Sequence, residues 1–281
     1  MRRSPRRFCT STKEATLTDA ASSAWRAGRT SERFAGHVAL VTGAGGAGIG
    51  SATCHRLASE GAAILAIDHH RGRTDAIADA LRNAHGVPVV AVTADVTDRA
   101  AIDAAIARGA DELGTIDVLV NSAAINPQGS IFDYDADTFD DVIAADLNAC
   151  WYLIRRTIGP MRDLGRGAIV NIGSVAAYNG GRGREAPYSA AKAGLHEITR
   201  SVAIEGGPHG IRCNAVAPGL VESRFVDKHR ERFEADRLAT PLRRHGRPDE
   251  IANIVAFLVS DESSLITGEV ITASGGWYLR P

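Results

Sequence analysis

From Gly36 onward the chain alternates short, continuously apolar runs with longer stretches in which apolar residues recur every three or four positions. The apolar runs are HVALVT from His37, AAILAID from Ala62, VPVVAVTAD from Val87, IDVLVN from Ile116, GAIVNIG from Gly167, GIRCNAVAP from Gly210 and GEVITA from Gly268. Most are rich in β-branched residues and lack polar alternation, which predicts strands covered on both faces, as in a parallel sheet. The segments near Ser51–Ser59, Thr74–Ala84, Asp98–Leu113, Asp137–Arg162, Tyr188–Glu205 and Pro248–Val259 have helical spacing. In the fourth, Phe139, Val142, Ile143, Leu147 and Ile154 share one apolar face. Strand, helix, strand repeated this often predicts an α/β fold, a doubly wound parallel sheet of the Rossmann type with about seven strands flanked by helices. No Pro- or Ser-rich linker and no internal repeat interrupts it, so one domain over Phe34–Pro281 is expected. In such sheets ligands bind beyond the carboxyl ends of the strands, where the strand order reverses.

Composition narrows the classes of function. With 32 Lys+Arg against 33 Asp+Glu, the net charge of -1 offers no field to steer nucleic acid or an anionic membrane. No apolar run reaches the roughly 20 residues a membrane helix needs, so a soluble, cytoplasmic protein is expected. Cys9, Cys54, Cys150 and Cys213 lie far apart with no CxxC pair, arguing against a disulfide framework or a zinc ribbon. No other spacing of His, Asp, Glu or Cys suggests a metal. Residues 1–33 are rich in Arg, Ser, Thr and Ala without a sustained apolar period, which predicts a disordered or loosely docked extension. Glu14, Asp19 and Glu32 set it apart from an organelle transit peptide.

Candidate chemistry begins at VTGAGGAGIG, Val41–Gly50, directly after the first strand. Gly43, Gly45 and Gly48 spell G-x-G-x-x-G, with a helix expected from near Gly50. Glycine there lets the chain turn tightly and brings backbone N–H groups close to a phosphate at a helix N-terminus. The second strand ends in Asp68, a carboxylate that can accept hydrogen bonds from ribose hydroxyls and repels a 2′-phosphate, favouring NAD over NADP. Arg71, with His69 and His70 beside it, is the competing feature if Asp68 turns away.

Tyr188 and Lys192, in YSAAK, fall four apart on one helical face. Ser174 stands just past a strand end, and Asn148 lies in the long fourth helix. A tyrosine serves as a base near neutral pH only if its pKa drops from about 10 by roughly 2–3 units, about 3–4 kcal/mol. A neighbouring ammonium supplies that sign of shift, and a serine hydroxyl can donate to a developing oxyanion. His196, further along the helix, reads as a surface or interface residue. Arg182, Arg184 and Arg224 flank the expected substrate loops, where solvated loop charges are the simpler reading and an anionic substrate the sharper one.

Together these features resemble the classical short-chain dehydrogenase/reductase family over nearly all of Phe34–Pro281. The resemblance implies a catalytic tetrad of Asn148, Ser174, Tyr188 and Lys192. Tyr188 would be acid/base, Lys192 would lower its pKa and hold the nicotinamide ribose, Ser174 would orient the substrate oxygen, and Asn148 would keep the fourth helix kinked around a water. It further implies cofactor contacts from Gly43, Gly45, Gly48 and Ile49, from Asp68, Asp95 and Val96, and from Asn121 and Ala123 in NSAA. Pro218, Gly219, Val221 and Ser223 would clasp the nicotinamide amide. The glycine motif departs from the family's T-G-x-x-x-G-x-G by one extra residue, and Ala124 replaces a usual glycine. The expected activity is hydride transfer between NAD(H) and a secondary alcohol or ketone. An NADPH-dependent 3-oxoacyl-thioester reductase and a non-catalytic dinucleotide sensor are the alternatives. A homotetramer or homodimer is implied by the family. Tyr178–Pro187 and an irregular Leu220–Arg237 segment are expected to roof the substrate.

Overall fold

The structure is a computed structural model that describes residues 32–223, 226 and 230–279. The extension expected over 1–33 therefore lies outside the described residues except for its end. There Arg33 joins the body, its guanidinium pairing with Glu60 and, at 2.7 Å, with Glu262.

Seven parallel strands form one sheet: β1 (Val38–Thr42), β2 (Ala63–Asp68), β3 (Val89–Thr93), β4 (Val118–Asn121), β5 (Gly167–Ile172), β6 (Ile211–Pro218) and β7 (Val270–Ala273). Their order is β3-β2-β1-β4-β5-β6-β7. The chain winds outward from β1 to β3 and then returns to the other side of β1. Val41 accordingly pairs with both Ala66 and Val120, and the loops leaving β1 and β4 part to open a crevice. Helices α1 (Ile49–Ala58), α2 (Arg71–His85), α3 (Arg99–Leu113), α4 (Ala136–Ile143), α5 (Ala149–Leu164), α6 (Ala176–Asn179), α7 (Ala186–Gly206), α8 (Arg230–Ala239) and α9 (Pro248–Val259) complete the described elements.

Burial on both faces explains the uninterrupted apolar strands. Leu57 of α1, Leu81 of α2 and Val255 of α9 pack against Val41 and Ile64 on one face. Ile102 of α3, Leu153 of α5 and Ala203 of α7 pack against Leu40 and Leu65 on the other. α9 begins with Pro248 in its first turn, and Glu250 folds back onto the Arg247 N–H at 2.8 Å. That sequence signature placed α9 at its observed bounds.

The expected helix Asp137–Arg162 is not continuous. It widens into a π turn at Ala144–Asn148 between α4 and α5. An extra residue in one turn rotates the side chains that follow and often marks a functional position. The segment read as irregular, Leu220–Arg237, contains the start of α8 and closes against the body through Phe233.

The glycine loop shows which of its residues the geometry requires. Gly43 has φ +64, and a Cβ there would lie 2.9 Å from the Ala123 Cα on the neighbouring loop. Thr42 ties the same two segments, its Oγ1 accepting the Ser122 and Ala123 N–H groups. Gly50 is tighter still, its added Cβ falling 2.2 Å from the Gly43 carbonyl oxygen. Gly50→Ala is therefore expected to destabilise the protein by about 1–3 kcal/mol, because backbone rather than a flexible side chain has to give way. Chemical unfolding of the variant checks this; an unchanged midpoint would show that the loop can relax.

Candidate active site

Two adjoining cavities lie along the carboxyl edge of the sheet and share Gly48, Ile49 and Ser223 in their walls. The larger, about 650 Å³, runs past Gly43, Gly50, Asp68, Asp95, Val96 and Ala123. The smaller, about 260 Å³, is bounded by Ser174, Tyr188, Pro218, Gly219 and Val221. Most of the residues expected to bind a dinucleotide thus face one continuous space. Gly45, Asn121, Asn148 and Lys192 do not line it.

At the head of the larger cavity, α1 starts at Gly48, which has no side-chain cap and whose added Cβ would meet nothing within 4 Å. Bare N–H groups at a helix start, open to the cavity, form a cradle for an anion. The extra loop residue leaves Gly43, Gly48 and Gly50 around this cradle, while the Gly45 N–H points instead to Asp68 Oδ2 at 3.0 Å. Gly45 is kept small by the Arg73 Cβ, 2.7 Å from where its own would sit. The motif spacing does not include Gly50, which also lacks room for a side chain beside the Gly43 carbonyl. Asp68 also accepts the His70 N–H at 3.0 Å, so its buried carboxylate is anchored by two backbone donors at the cavity wall. Of the nearby cations Arg73 lines this wall, whereas Arg71 is exposed on the first turn of α2. Asp95 turns to Thr97, whose N–H and hydroxyl hold its carboxyl below the usual range.

Asn121 corrects an expectation. Its side chain is 1% exposed and donates to Asn171 Oδ1 at 2.8 Å; Asn171 donates in turn to Thr199. An amide at the end of a fully buried strand has to find partners in the interior, and here they are Asn171 of β5 and the Cys150 carbonyl of α5. Ser122–Ile125 form the wall in its place. His196 is likewise interior, packed at 5.1 Å against the Tyr178 ring and filling the space beside Gly173.

Tyr188 stands on the first turns of α7 and shares the wall of the smaller cavity with Ser174, whose hydroxyl oxygen accepts the Ala176 N–H. Lys192, one turn on, places Nζ 5.4 Å from the Tyr188 ring centroid. The fourth partner is not Asn148, which is exposed on the opposite side of its turn. It is Asp146, 0% exposed, with Oδ2 3.2 Å from Lys192 Nζ and Oδ1 accepting the Ile125 N–H at 2.8 Å. A signal for it was present in the sequence: Asp146 lies four residues after Val142 and four before Cys150, on the stripe that faces inward. A carboxylate on a buried helical stripe requires a partner.

Burial pushes the Tyr188 phenol above its ordinary value; Lys192 pulls it down, Asp146 pushes it back up, and the Ser174 hydrogen bond favours the phenolate. Lys192 thus acts on the phenol in the expected direction, while Asp146, which the expected tetrad does not include, acts against it. Burial is the strongest single influence on the Lys192 ammonium and works against it, yet Asp146, together with smaller contributions from Tyr188 and Cys150, holds the lysine above its usual range. Burial raises Asp146 against the pull of Lys192.

Arg182 closes over the smaller cavity, pairing with Asp236 of α8 and standing 5.6 Å from the Trp277 ring centroid. It is engaged with a carboxylate, which removes it as a free anchor for an anionic substrate. Arg184 is exposed, and Arg224 lies outside the described residues.

A family profile described as enoyl-(acyl carrier protein) reductase matches residues 43–278. Among curated proteins, cis-4-hydroxycyclohexanecarboxylate dehydrogenase of Sinomonas cyclohexanicum is 39% identical over 252 residues, 88% of this chain and 98% of the relative. The 3-oxoacyl-[acyl-carrier-protein] reductase FabG of Escherichia coli (strain K12) is 37% identical over 248 residues, 88% and 99% of the two chains. A solved structure named as a short chain dehydrogenase/reductase family protein superposes with a TM-score of 0.77 at 33% identity, covering 88% of this chain and 99% of its own.

Proposed function

The chain belongs to the short-chain dehydrogenase/reductase family of oxidoreductases, and from that premise we propose that it interconverts a secondary alcohol and a ketone using NAD(H). One observation carries the reading: Tyr188, beside Ser174 and backed by Lys192, lines the smaller of two cavities that share Gly48, Ile49 and Ser223 in their walls.

The residues of the larger cavity fit a dinucleotide. The uncapped start of α1 and the open space over Gly48 suit a pyrophosphate, since neither a side chain nor a capping group competes for the N–H groups. Asp68, anchored at the wall, suits a ribose diol and opposes a 2′-phosphate. Bound there, the nicotinamide supplies the hydride acceptor or donor. The protein's part is proton handling and orientation. Ser174 donates to the substrate oxygen, and Tyr188 takes the hydroxyl proton in oxidation or returns it in reduction. Lys192 favours the phenolate through its charge. Pro218, Gly219 and Val221 bound the substrate side, and the Arg182–Asp236 pair stands in the same wall.

A second reading, an NADPH-dependent 3-oxoacyl-thioester reductase, is favoured by Arg73 on the cavity wall and by the name of the Escherichia coli relative. A panel of secondary alcohols, cyclic hydroxy acids, diols and oxoacyl thioesters, followed at the nicotinamide absorbance with both cofactors, separates the two. Turnover with NAD(H) well above NADP(H) is expected, and Asp68→Ala should narrow that ratio by at least about tenfold, the equivalent of 1.4 kcal/mol. A wild-type preference for NADPH would transfer the assignment to the second reading.

A further inference from the structure

We propose that Asp146 is a positioning residue that sets the pH range over which Tyr188 exchanges its proton, by offsetting the charge of Lys192; this rests on the acid/base role given above to Tyr188. Four observations meet at this point. Asp146 and Lys192 are 0% and 2% exposed, so water does not screen their contact. The 3.2 Å separation makes them a close pair. Lys192 Nζ simultaneously faces the phenol ring, so any change in its net field reaches Tyr188 directly. The Ile125 N–H fixes the other carboxylate oxygen, and the π turn carries Asp146 inward while leaving Asn148 outside.

The other groups around the phenol do not duplicate this effect. Cys150 of α5, beside the pair, has its thiol pushed up to about 11 by burial and stays neutral at ordinary pH. Glu185, ahead of α7, acts on Tyr188 in the same sense as Asp146 but more weakly, and its Oε1 accepts from Asn126 and Gln128. Ser174 carries no charge. An asparagine at position 146 would keep the shape and could still accept from the Ile125 N–H, yet would leave the ammonium uncompensated. Removing a negative charge favours the phenolate, so Tyr188 in Asp146→Asn should ionise at lower pH, by about one pH unit or more.

The test uses the full chain without cofactor or substrate. Ultraviolet difference titration of the phenolate, with Tyr188→Phe subtracted, is expected to show Tyr188 ionising at lower pH in D146N than in wild type, with D146E close to wild type. The alkaline rise of kcat/KM for alcohol oxidation should move the same way. If D146N does not fold, D146S is titrated in its place; Tyr188 should again ionise at lower pH than in wild type, because the ammonium has lost its counter-charge. Coincident titrations, or a move to higher pH, overturn the proposal. Absence of turnover on every substrate would strike the functional reading while leaving the titration to decide the role of Asp146.

Discussion

Tyr188→Phe is expected to lower kcat by about 10²–10⁴-fold, the range lost when a positioned acid/base group is removed. The phenyl ring keeps the packing on α7 and the face turned toward Lys192. What disappears is the hydroxyl that shares the smaller cavity with Ser174 on the substrate side. Cofactor affinity should change little, because the cradle at Gly48 and the anchored Asp68 lie elsewhere in the cavity system. Steady-state kinetics on any substrate found in the panel, alongside NADH binding followed by fluorescence, measures both halves. Turnover within a few-fold of wild type would remove Tyr188 from the chemistry, and a parallel loss of NADH binding would make it structural.

Lys192→Met should cost about 3–5 kcal/mol of stability in addition to activity. Both charges of its pair are buried, and removing one strands the other in a medium that solvates it poorly. The thioether is of similar length, so packing alone accounts for little of the loss. The double variant D146N/K192M should regain most of it, since no buried charge is left without a partner. Urea unfolding of the two single variants, the double variant and wild type gives the coupling directly. A loss under about 1 kcal/mol in K192M would match a solvent-exposed pair instead and contradict the burial seen here.

Strong local patterns were legible where a whole element repeats one constraint. Seven apolar runs became seven strands because the sheet is covered on both faces, fully along its central strands and in part along the edge strands β3 and β7. α9 was placed at its observed bounds, Pro248–Val259, because a proline, an acidic first turn and a regular apolar stripe agree. Tyr188 and Lys192 were legible for a related reason: four residues apart on one helix, they needed no tertiary contact to share a face. Errors arose where one residue answers to a distant neighbour. Asn148 came from the family resemblance; the i, i+4 spacing of Asp146 with Val142 and Cys150 pointed to an inward carboxylate, but only the π turn shows that Asn148 is exposed. The motif spacing named Gly45 and left out Gly50, whose lack of room for a side chain appears only once the Gly43 carbonyl is brought against it. Asn121 was expected at the cavity, whereas its side-chain partners, the Cys150 carbonyl and Asn171, lie far along the chain.

The amino-acid order by itself therefore determined the alternation, the parallel sheet, the glycine turn and the tyrosine–lysine face, all of which follow from interactions a few residues long. Only the tertiary structure decided which carboxylate meets Lys192, which glycines the loop requires and which side chains face the shared cavities. Those outcomes depend on groups brought within a few ångströms by packing, and their energy is set by burial, a property that no short stretch of chain possesses before it folds.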